Sequence, residues 1–140
     1  MNNEQTAIIE AINAAADFIA KNPKQYNFVW TTIPNTPHCP GCALAWIGYF
    51  LNESKILKDK YTSYGLQGIA RQILKNFNFE NPCGSDGRIY VIWKELDRTK
   101  MGYGYHRAKT TPAILRRFST YLTKRVVNVA HIAKSKALKS

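Results

Sequence analysis

No aspartate or glutamate follows Asp97, whereas eleven lysines and arginines do, so Arg98 to Ser140 alone carries a charge equal to the net +11 of the whole 140-residue chain. Residues 1 to 97 balance nine basic side chains against nine acidic ones. A block of one sign repels itself unless a polyanion or an acidic surface neutralises it. Cysteine is also scarce. Three cysteines, behind a start with neither a basic region nor a long apolar stretch, speak against a secreted disulfide framework and for a cytoplasmic setting. Long apolar runs are missing too: the longest, Cys42 to Leu51, falls well short of the roughly 20 residues a membrane span needs, so no membrane partner is expected.

Catalytic groups are equally sparse. None of the nine carboxylates sits beside a histidine or a second acid in an apolar setting, as an acid–base pair would require. Asp86 and Glu95 read more simply as a helix cap and a solvated helix position. The three histidines lack the H-E-x-x-H spacing, and Gly102-Tyr103-Gly104 lacks the lysine and helix of a phosphate loop. The reading leans away from an enzyme and implies no cofactor. Cys39-x-x-Cys42 has a spacing that lets two thiolates reach one zinc, and Cys83 with His38, His106 or His131 could complete the set. There is no second such pair, however, and Cys42 opens an apolar run, as a buried structural cysteine does. A redox pair of the thioredoxin kind would follow a strand in a β-α-β pattern, which is absent.

What is present is helical periodicity. At 140 residues and 45% hydrophobic, the chain suits one domain, residues 1–140. Ile8, Ile12, Ala15, Ala16 and Ile19 recur at helical spacing and predict a helix over 5–21, closed by Asn22-Pro23. The aromatic and β-branched stretch Gln25–Thr32 and then Pro34, Pro37 and Pro40 read as an extended arm and a rigid loop. A segment apolar on nearly every side, 42–51, suits a central helix, with a buried strand as the alternative. Further helices are predicted over 63–77, capped by Ser63, over 86–97, capped by Ser85 or Asp86, where Ile89, Val91 and Trp93 fit a strand as well, and over 112–130, where Thr111 caps and Pro112 occupies the first turn. The expected fold is mainly α, a compact domain of about five helices, with allowance for a short extended arm or hairpin. Residues 98–140 form its basic loop, last helix and a tail that frays after Val129. The expected core joins Trp46, Ile47, Leu66, Ile69, Ile73, Phe118 and Leu122. Arg125, inside the apolar arc of the last helix, either snorkels or pairs with Glu10 or Asp17.

The motif Cys42-Ala43-Leu44-Ala45-Trp46-Ile47-Gly48, preceded by the first helix and Asn22–Phe28, resembles small proteins met in bacteria, phages and prophages. The resemblance covers about residues 7–51. It implies a compact helical domain in a mobile-element setting, where small proteins act on host nucleic-acid machinery, and it transfers no catalytic residue. Ala45 stands where the resemblance leads one to expect glycine, and the basic block has no counterpart in it.

The loop from Lys100 to Lys109 places Tyr103 and Tyr105 among Lys100, His106, Arg107 and Lys109. Aromatic faces stack on unpaired bases while cations track phosphates. Arg116, Arg117 and Lys124 extend the basic surface along the following helix, although no helix-turn-helix, zinc-finger or RNP signature accompanies them. The sequence therefore points to a non-enzymatic accessory protein that binds nucleic acid through its C-terminal third. The alternative is a protein-binding inhibitor, an anti-defence (anti-CRISPR-like) factor that docks its basic face on an acidic or RNA-bearing host complex. Cys39, Cys42 and Cys83 are expected to be free thiols; stoichiometric zinc by elemental analysis, lost together with the fold on chelation, would contradict this.

Overall fold

Four α-helices and one short 3-10 turn make up the regular structure in the computed structural model, among the residues it describes: 1–29, 31–54, 65–79 and 107–139. The fold is mainly helical, as the periodicity predicts, while the helix expected over 86–97 lies outside the described residues. Helix α1 (Asn3–Lys21) starts on a capping box that the sequence reading passed over. Asn2 Oδ1 accepts from the Gln5 amide at 2.8 Å, and the Asn2 amide donates to Gln5 Oε1 at 3.0 Å. Two otherwise orphaned N–H groups are thereby satisfied.

Helix α2 (Ala43–Ser54) settles the choice between helix and strand at the apolar segment. Residues 43–48 and Leu51 are all buried, as an all-round apolar helix at the centre of a core must be. Trp46 is its anchor. The Trp46 indole packs 4.2 Å from the Phe18 ring of α1, and its Nε1–H donates to the Gln25 carbonyl at 3.0 Å, so the one polar atom of a wholly buried side chain is satisfied. That carbonyl also accepts from the Gly41 amide at 2.8 Å, and the Asn27 amide donates to the Gly41 carbonyl at 3.0 Å. This single parallel bridge, Tyr26 to Gly41, is all that the expected extended arm contributes to pairing among the described residues. Gly41 is required there: a Cβ would stand 2.9 Å from both Pro34 Cγ and Trp46 Nε1.

Helix α3 (Gly65–Asn76) packs on α2, where a Cβ on Gly48 would meet Ile33 Cδ1 at 2.9 Å and Ile69 Cγ1 at 3.0 Å. The missing side chain lets the two helices close. At its far end the chain turns through Asn78 in the left-handed region (φ 57°), and the Phe79 amide donates back to the Leu74 carbonyl at 3.0 Å, the six-to-one bond of a Schellman ending. The remaining carbonyls are met from outside the helix. Gln5 Nε2 donates to Asn76 O at 2.7 Å, Arg125 Nε to Phe77 O at 2.6 Å and Arg125 Nη2 to Asn78 O at 2.7 Å. Arg125 thus pairs with neither Glu10 nor Asp17 but caps α3, its guanidinium 4.0 Å from the centre of the Phe79 ring.

Helix α4 (Thr111–Lys139) is the longest, and begins with the Thr111 hydroxyl donating to the Arg107 carbonyl at 2.7 Å. It does not stop near residue 130: alanine and lysine, both good helix formers, carry it to Lys139 where a frayed tail was expected. Its inner face, Ile114, Leu115, Phe118 and Leu122, is buried in one cluster with α1, α2 and α3. The expected core residues belong to that cluster with one correction: Leu66, in the first turn of α3, is only partly buried against its edge. Because Leu122 is wholly buried, Leu122→Ala should cost about 2 to 5 kcal/mol in a denaturant titration. A loss well below that range would place α4 outside the core.

Candidate nucleic-acid interface

Burying Ile114, Leu115, Phe118 and Leu122 leaves the opposite side of α4 to solvent, and that side carries Arg116, Arg117, Thr120 and Lys124, all exposed. Spacings of three, four and seven residues bring Arg117, Thr120, Tyr121 and Lys124 onto one stripe. With Arg116 they line an open depression of about 390 Å³. Its floor is held in place: Tyr121 is half-buried with its ring 6.3 Å from that of Phe79, and the Thr120 hydroxyl donates to the Arg116 carbonyl at 3.0 Å.

The approach to α4 is equally ordered. The amides of Thr110 and Thr111 donate to the Arg107 carbonyl at 3.2 and 3.0 Å, alongside the Thr111 hydroxyl. This turn holds Arg107 and Lys109, both exposed, at the start of the helix. No acidic residue occupies the first turn of α4, so the helix supplies no carboxylate of its own to offset the positive end of its dipole. The result is a site of positive potential with no local anion on its own helix.

Arg116 departs from its expected role. It forms an ion pair and hydrogen bond with Asp17 of α1, across the seam between the two helices. A residue expected to meet phosphate is therefore partly neutralised and ties α4 to α1. Nothing in the sequence pairs these positions: 99 residues separate them, and only the antiparallel register of α1 and α4 brings them together. Of the other expected contacts, Lys100, Tyr103 and Tyr105 lie outside the described residues. Arg107, Lys109, Arg117 and Lys124 all present exposed side chains at the start and along the outer face of α4.

The other candidate chemistry falls into the fold. Cys42 is wholly buried, while Cys39 is exposed in a turn near the Thr36 hydroxyl. Among the described residues no group of three or more histidines, cysteines and acids could hold a metal ion; Cys83, His106 and the side chain of His131 lie outside them. All seven positions of the Cys42–Gly48 motif are buried, so these residues serve the packing of the core. No helix among the described residues is long and apolar enough to cross a membrane. Comparison with protein-family models, curated proteins and solved structures returns no match.

With side chains 50% and 56% exposed, the Arg116–Asp17 pair sits in high dielectric and should be worth little. A double-mutant cycle with Asp17→Asn and Arg116→Gln should give a coupling energy below about 1 kcal/mol. A value of several kcal/mol would make the pair a principal tie between the helices.

Proposed function

We propose that the protein is a non-enzymatic accessory protein that binds nucleic acid through the outer face of α4, in the cytoplasmic setting suggested by its few cysteines and the mobile-element setting suggested by its resemblance to small bacterial and phage proteins. One observation carries the reading. Exposed cations recur along the side of α4 that faces away from the core, and the helix contains seven lysines and arginines but no acid. Phosphate contact is the economical use of such a surface, because each phosphate neutralised releases condensed counterions. Arg117 and Lys124, one helical stripe apart, are the leading contacts. Arg107 and Lys109 add charge at the helix start, where the dipole adds to the potential of the side chains. Tyr121, being half-buried and packed near Phe79, shapes the depression instead of offering a free face for stacking. Tyr103 and Tyr105 add stacking contacts only where the bound strand is single.

Affinity for an oligonucleotide, followed by fluorescence anisotropy, should fall steeply as salt rises. The double variant Arg117→Glu with Lys124→Glu should bind at least about tenfold more weakly and flatten the salt slope by about 2, with helix content by circular dichroism unchanged. If the wild-type protein binds neither DNA nor RNA at low salt, or the variant binds as well as wild type, the reading is overturned. An acidic protein surface would then be the partner to seek.

A further inference from the structure

The register of α1 against α4 carries part of the basic helix past the start of α1. Asp17, near the end of α1, meets Arg116, near the start of α4, so the two helices run antiparallel. At their other end Gln5 and Arg125 serve the same terminus of α3. Fourteen residues lead back from Asp17 to Asn3, where α1 begins, and the same distance forward from Arg116 ends at Ala130. Helix α4 continues to Lys139, nine residues and about 14 Å further at 1.5 Å per residue. Exposure follows the same register. Val126 is the last described side chain of α4 packed against the core; Val127 is 60% exposed, and Asn128, Lys134 and Lys136 are exposed.

The composition of this projecting end narrows its partner. Over 131–139 it carries Lys134, Lys136 and Lys139 and no acid, with Ala133, Ser135 and Ala137 between them and His131, Ile132 and Leu138 making up the rest. Successive residues are about 100° apart around a helix, so Lys134 and Lys136 flank Ser135 on two opposing sides of the helix. An acidic protein surface or a single strand offers anions along one side. The major groove of B-form DNA, about 12 Å wide, admits an α-helix and borders it with phosphates on both sides. An RNA duplex has a deep, narrow major groove that excludes one.

We propose that residues 131–139 of α4 form an arm that lies in the major groove of double-stranded DNA, with Lys134 and Lys136 directed to the two flanking phosphate backbones. This inference rests on the nucleic-acid reading above and adds the kind of duplex and the element that enters it. The test uses the full chain and three probes of one sequence, about 20 nucleotides long: duplex DNA, duplex RNA and single-stranded DNA, at matched salt. Wild-type protein should prefer duplex DNA over both others by about tenfold or more. Lys134→Glu with Lys136→Glu should abolish the preference and flatten the duplex-DNA salt slope by about 2, and Lys134→Gln with Lys136→Gln should do the same if charge reversal unwinds the arm by circular dichroism. Wild-type binding without preference for duplex DNA, or a preference that survives both double variants, overturns the arm and leaves the outer-face reading standing. Binding to none of the three probes overturns both.

Discussion

Burial of one side of α4 is the constraint on which the rest of the molecule depends. Ile114, Leu115, Phe118 and Leu122 enter the common core with α1 and α2, and this fixes, without further design, which side of a helix rich in cations meets solvent. Each fully buried aliphatic or aromatic side chain contributes roughly 1.5 to 3 kcal/mol, whereas the exposed Arg116–Asp17 pair is worth a fraction of that. Hydrophobic burial therefore orients the basic face, and electrostatics trims the seam. Of the seven like charges on α4, Arg116, Arg117, Lys124, Lys134 and Lys136 are exposed and need not approach the core, while Arg125 turns inward to cap α3.

The end of α3 shows how the same helix is tied laterally. A helix C-terminus leaves carbonyls without intrahelical partners, and here one side chain from α1 and one from α4 supply the donors. Gln5 serves twice: its Oε1 closes the capping box of α1 while its Nε2 reaches Asn76 O. Arg125 is the only cation of the stretch 116–125 that turns inward, and it does so without an acidic partner because two carbonyls and an aromatic face satisfy the guanidinium. These contacts place α1, α3 and α4 at one junction. Past that junction α4 runs on to Lys139.

Much of this architecture is legible from periodicity alone. The i, i+3, i+4 spacing of Ile8, Ile12 and Ile19, of Ile69 and Ile73, and of Phe118 and Leu122 identifies the buried faces, because a half-buried helix can satisfy only that pattern. The Asn2-x-x-Gln5 cap was equally readable and was passed over. The partners of Arg125 and Arg116 were not, since a carbonyl is no sequence signal and Asp17 is brought to Arg116 by helix register. The length of α4 was underestimated because apolar periodicity fades after Val129, while alanine and lysine sustain a helix without it. For the candidate site, the sequence shows the charge and its side of the helix; the depression, the committed role of Arg116 and the projecting end follow from the fold.

Whether nucleic acid is what this basic helix meets can be decided by capturing the tagged full-length protein from cells, with and without nuclease treatment. The account predicts that nucleic acid co-purifies and that nuclease removes it together with any proteins held through it. A single protein retained in stoichiometric amount after complete nuclease digestion, with no nucleic acid in the untreated sample, would contradict it.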